Sequence, residues 1–219
     1  MVHAFITTTA LAFITIALLL LSPTHSCASA FQFWHTETQE KSIFNKLKLV
    51  LQETFRFDEN GYLYHQQYDI GLDRELSEAW EVGINYRQIY SKTPDDIEEE
   101  SRPQINALWK GAIGQTGLSD NSCVEYRELE HRQDTWRYRN KITANSPIAF
   151  FNSLLRPYVS NEFFVDMPSA VLSKNRLQGG FWFGTQKIKA ELYYMRQSAK
   201  AQPAWAIANV IGSSLQISF

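Results

Sequence analysis

The sequence predicts an all-β protein: an antiparallel up-and-down transmembrane β-barrel of 10–12 strands, following a cleaved N-terminal signal peptide. Three observations predict it. Beyond residue 30, apolar and polar residues alternate with period two. The alternating runs are long for a soluble sandwich but suit tilted strands that cross a bilayer. Long charged side chains of both signs gather on one of the two faces. Composition agrees: 219 residues, 44% hydrophobic and 14% aromatic, with a net charge of −2, exclude a disordered chain and a basic nucleic-acid binder.

The first thirty residues read as a leader. Residues 1–30 contain no Lys, Arg, Asp or Glu, and Ala10–Leu21 is an unbroken run of apolar residues and Thr, closed by Ser22-Pro23. Ala28-Ser29-Ala30 supplies small residues where a signal peptidase reads them, so cleavage is expected after Ala30, leaving 31–219 as one barrel domain. An uncleaved anchor and a lipoprotein site at Cys27 are the alternatives. The mature chain then holds one cysteine, Cys123, and must fold without an internal disulfide.

After a short strand at 33–40, the run 46–57 places Leu47, Leu49, Leu51, Phe55 and Phe57 on one parity and Lys46, Lys48, Gln52, Thr54 and Arg56 on the other, with Glu53 an exception. Runs 62–73 and 80–91 alternate in the same way. Asp58-Glu59-Asn60-Gly61 predicts a tight hairpin in which Asn-Gly supplies the positive-φ positions. Further strands are expected at 103–113, 122–132, 135–143, 153–164, 175–184, 187–197 and 204–219, which brings the count to eleven. Single-chain bacterial barrels nearly always have an even number. Either 33–40 is a lead-in and ten strands close, or two have merged and twelve close. Longer loops are expected at 92–102, an acidic stretch, and at 165–174, both on the extracellular side. In 122–132 a bulge near Arg127-Glu128 is expected to turn Glu125, Arg127, Glu130 and Arg132 inward.

Orientation decides the class. Arg or Lys at a bilayer midplane costs about 2–4 kcal/mol, so the ionised face must line the lumen. The expected interior salt-bridge network is Glu130, Arg132, Arg137, Arg139, Glu162 and Arg176. Membrane-interface aromatics are expected at Phe55, Phe57, Tyr62, Tyr64, Trp80, Trp136, Trp205 and Phe219, where an apolar ring and a polar tip are both satisfied. The amphipathic last strand ends on Phe219, like the C-terminal signal read by the barrel-assembly machinery.

The residues resemble a family of bacterial proteins of unknown function predicted to be outer-membrane β-barrels. The resemblance is carried by Trp34, Gly83 with Tyr86-Arg87, Glu130-His131-Arg132, Trp136-Arg137-Tyr138-Arg139, Asn161-Glu162-Phe163, Asn175-Arg176-Leu177 and Phe219. Where the family tends to place Arg two and four residues before the Glu, this chain has Glu128 and Tyr126. The resemblance implies location and fold and gives no activity.

Chemistry-bearing motifs are few. His65 and Asp69 share one face of one strand, but the sequence fixes no Ser beside them for a hydrolase triad. There is no Gly-x-Ser-x-Gly, phosphate-cradling Gly loop or Cys/His metal cluster. The reading is therefore an integral outer-membrane, porin-like barrel with a narrow, charge-filled lumen, non-enzymatic, with no cofactor and no metal. Its expected partners are outer-membrane lipid and the assembly machinery, with no nucleic acid. The alternatives are an outer-membrane lipid-modifying enzyme and a soluble periplasmic ligand-binding barrel.

Overall fold

A computed structural model describes residues 30–94, 96–146, 155–185, 187–201 and 204–219. The expected leader, its cleavage motif and Cys27 lie outside the described residues except for Ala30, which opens the first strand.

The described residues form eleven strands: β1 (Ala30–Phe44), β2 (Leu47–Phe57), β3 (Leu63–Glu75), β4 (Trp80–Lys92), β5 (Ile97–Ile113), β6 (Thr116–Leu129), β7 (Thr135–Asn145), β8 (Leu155–Asp166), β9 (Val171–Gly184), β10 (Ile188–Ala201) and β11 (Ala204–Ser218). Each pairs antiparallel with its sequence neighbours, and β1 closes the barrel on β11. That closing pair is parallel, in register from Ala30↔Ala208 to Glu40↔Ser218. This is how an odd number of strands closes: β1 is neither a lead-in nor half of a merged pair. One rim carries Ala30, and the opposite rim carries Phe219.

Strand boundaries depart from expectation where charge hid the alternation. The expected long loops at 92–102 and 165–174 are mostly strand, leaving turns at 93–96 and 167–170 on the Ala30 rim. β7 ends and β8 begins at the Phe219 rim, and of residues 146–154 between them only Ser146 is described. The acidic stretch belongs to β5 because its charges are met: Glu98 accepts from Arg132 Nη2, in the turn after β6, at 3.0 Å, and Glu100 Oε1 accepts at 2.6 Å from Arg102 of β5 itself and from Arg127 of β6. Asp95 lies outside the described residues.

The 58–62 hairpin is tight but uses one positive φ, at Gly61 (80°). Asp58 N donates to Tyr62 O at 3.0 Å, and the Asp58 carboxylate caps the amides of Asn60 and Tyr62 at 2.9 Å. This is the three-residue loop with a left-handed glycine, not the two-residue Asn-Gly turn.

Apart from the polar outer face of β1 and Glu53 beside it, the faces sort by character. Ile84 is 59% exposed and Ile105 66%, whereas Glu125 is 0% exposed and Arg137 5%. Apolar side chains therefore cover the outside and charges fill the inside, the reverse of a soluble globule. On the inner side near the closing seam, Trp34, Met195 and Val210 form a small apolar cluster backed by Tyr193. Gly212, the register partner of both Trp34 and Tyr193, makes room for the Tyr193 ring: a Cβ there would sit 2.0 Å from it.

Candidate functional site

Alternation sends every second residue of each strand into the lumen, and the antiparallel register then decides which charges meet. On β7, Arg137, Arg139 and Lys141 point inward. Arg137 is the register partner of Glu125 and donates to it. Arg139 Nε lies 3.7 Å from Glu162 on β8, and Arg176 Nη1 on β9 donates to the same carboxylate at 3.0 Å. On β3 and β4, Arg87 Nε donates to Asp69 at 2.5 Å. On β5, Arg102 Nη1 is 4.0 Å from Glu125, which links the Glu100 and Glu125 groups.

Of the six residues expected to form the interior network, Arg139, Glu162 and Arg176 meet in one cluster, while Arg137 belongs to another built on Glu125. Glu130 and Arg132 do not reach the lumen. They lie beyond the end of β6 in the turn to β7, where Arg132 reaches Glu98 across the rim. The expected bulge is absent: β6 keeps one register with β5 and with β7, and straight alternation carries both Glu125 and Arg127 inward. Leu129 shares that parity and ends the strand at the rim. Asp69, Arg87, Glu100 and Arg102 were missing from the expected network. The β5 pair, Glu100 and Arg102, falls in the acidic stretch 92–102 that the sequence presents as a loop, just before the expected strand begins at Pro103. In the barrel β5 passes through Pro103, which sits opposite Tyr86 of β4.

The expected interface aromatics fall at the two rims. Trp136, Tyr62 and Trp205 are exposed at the Ala30 rim, and Trp80 and Phe219 at the other. Trp80 has a partner that the sequence did not single out: its register mate is Trp109. Phe55 packs edge-on against Tyr68 at 6.4 Å, and Phe57 is half-buried at the end of β2. Tyr64 differs. A register irregularity at Arg56/Phe57 lets its hydroxyl donate to Gln32 at 2.7 Å, which also accepts from the Trp34 indole at 3.1 Å.

A serine does stand beside His65: Ser91 Oγ is 2.9 Å from Nδ1. The acid of a triad is missing, because Asp69 is held by Arg87 and Gln67, and His65 Nε2 has no partner. Among the described residues no group of three His, Cys, Asp or Glu side chains is arranged to hold a metal ion.

The inward faces enclose a cavity of about 620 Å³, ringed by Arg56, Arg102, Lys141, Lys174, Arg176 and four glutamates among others. Its cations lie against aromatic rings as well as carboxylates. The Arg56 guanidinium is 3.9 Å from the Trp34 ring centre and that of Arg176 5.0 Å, while Arg176 also lies 4.9 Å from Phe164. Such an interior can bind and order small anions.

Residues 31–208 match the family model described as "Protein of unknown function (DUF2490)". No curated protein matches the chain, and no solved structure does.

Proposed function

We propose that this chain, which belongs to the DUF2490 family of proteins of unknown function, is an integral outer-membrane β-barrel, non-enzymatic, acting as a structural element or a small pore. One observation carries the reading: the barrel is apolar outside and ionised inside. On its outer face Leu72, Ile84, Ile105, Val124 and Trp136 line one continuous apolar groove, a surface suited to acyl chains. Exposed aromatics at both rims fit interfacial girdles. The Glu125, Glu162 and Glu100 ion-pair groups narrow the lumen, so any conductance is small.

The test is membrane fractionation followed by a heat-modifiability gel. Release only by detergent, with an unboiled band of altered mobility, is the expected result. Release by osmotic shock without detergent would make the protein a soluble periplasmic barrel. Planar-bilayer conductance then separates a small pore from a plugged barrel. Hydrolysis and acyl-transfer assays on purified protein test the enzymatic alternative, against which the missing acid beside Ser91 and His65 weighs.

A further inference from the structure

Cations outnumber carboxylates around the lumen cavity: eight Arg and Lys side chains line it against four Glu. Asp69 and Glu125, set behind the lining, hold Arg87 and Arg137. Even with both counted, two positive charges remain without a counter-charge. Among the described residues, Arg56 and Lys174 form no ion pair with a carboxylate.

These two are brought together by Arg176. Its guanidinium lies against Trp34, whose ring Arg56 also covers, and against Phe164, from whose ring centre Lys174 Nζ is 5.4 Å. Arg176 itself is fixed by Glu162 at 3.0 Å and by Gln197 Oε1 at 2.9 Å. His65 is the register partner of Arg56 and also lines the cavity. Two buried nitrogens in this group have no hydrogen-bond partner, Arg56 Nε and His65 Nε2. With the Ser91 hydroxyl donating to Nδ1, His65 presents Nε2–H as a donor. Buried donors left unsatisfied are costly, and so are like charges held together in a partly desolvated space.

We propose that the lumen binds one compact oxyanion of the phosphate class, held by Arg56, His65, Lys174 and Arg176. A tetrahedral oxyanion offers acceptor oxygens in several directions, which matches donors arriving from β2, β3 and β9; a planar carboxylate offers two. The cavity is far larger than one phosphate, so the ligand is either the free ion or the phosphate group of a small monoester. The site needs only the closed barrel, and its test is independent of where the barrel resides.

The experiment uses the folded full-length barrel in detergent, with inorganic phosphate, glycerol phosphate and chloride compared at equal ionic strength by calorimetry and thermal unfolding. Phosphate and glycerol phosphate are expected to bind saturably at one site and raise the unfolding temperature, while chloride does neither. Tighter binding of glycerol phosphate identifies a monoester ligand; equal binding identifies the free ion. Arg56→Gln and Lys174→Gln should each weaken binding at least tenfold, whereas Lys92→Gln, at the end of β4, should leave it unchanged. Without phosphate, Lys174→Gln should unfold at a higher temperature than the parent, because it relieves repulsion, and should lose the phosphate-induced rise. Should phosphate act no differently from chloride, or Lys174→Gln bind it as tightly as the parent, the site does not exist. A Lys174→Gln variant less stable than the parent without phosphate, with its phosphate response intact, would make Lys174 purely structural and equally refute the proposal.

Discussion

Glu125 of β6 and Arg137 of β7 are register partners whose side chains close on each other inside the barrel, with the carboxylate wholly buried. The second carboxylate oxygen has no hydrogen bond, and the nearest other cation is Arg102 at 4.0 Å. The pair is thus poorly shared and depends on Arg137.

Glu125→Leu should lower stability by about 3–5 kcal/mol, because it leaves Arg137 charged and unpaired in a dry setting. Adding Arg137→Met should recover most or all of that loss, since an apolar pair of similar volume avoids desolvation altogether. Urea unfolding of the refolded barrel measures both. A single variant as stable as the parent would show that Arg137 finds another acceptor in the lumen.

Glu162 holds two cations, Arg139 and Arg176, so Glu162→Ala strands both. Its destabilisation should be at least as large as that of Glu125→Leu, again on the order of a few kcal/mol. An unchanged unfolding midpoint would mean that the two arginines find other acceptors in the cavity.

Glu37 and Glu53 face each other directly across β1 and β2 on the outer surface, among residues that are otherwise largely apolar on β2. Like charges directly opposite are unfavourable by about 0.2–1 kcal/mol, and in the proposed membrane setting a lipid-facing carboxylate adds a further cost that grows with depth. Glu53→Leu should therefore raise the unfolding midpoint, more in lipid vesicles than in detergent. A lower midpoint in vesicles would show that the carboxylate has a favourable role at that surface.

Gly212→Ala is expected to destabilise the closing seam by about 1–3 kcal/mol, the usual cost of overpacking, because its methyl would collide with the Tyr193 ring. Combining it with Tyr193→Leu should remove most of the cost. If the double variant is no better than the single, the collision is relieved by backbone movement.

Strands β2, β3 and β4 were legible because their two faces differ sharply: Leu49 and Leu51 against Lys48 and Gln52 show the period directly. The length of β1 was not, since His35, Glu37, Gln39 and Lys41 on its outer face are polar like the inner Thr36 and Thr38, so the alternation vanishes although the strand does not. The first residues of β5 looked like a loop for a related reason: Glu98, Glu99 and Glu100 suggest solvent until Arg102, Arg127 and Arg132 are known to lie beside them. The cluster of Arg139, Glu162 and Arg176 could be anticipated from inward parity on successive strands. That the acid beside Arg137 is Glu125 and not Glu130 could not, because partners follow from register, and register is a property of two strands together.

Because the first and last strands run side by side in the same direction, the two ends of the described chain leave through opposite mouths of the cylinder. Joining them would need a tether of about ten or more extended residues, at roughly 3.3 Å each, running the height of the wall. If the cylinder spans a membrane, as proposed, reporter tags on the two ends would sit on different sides of it, and a protease confined to one side would remove only one of them.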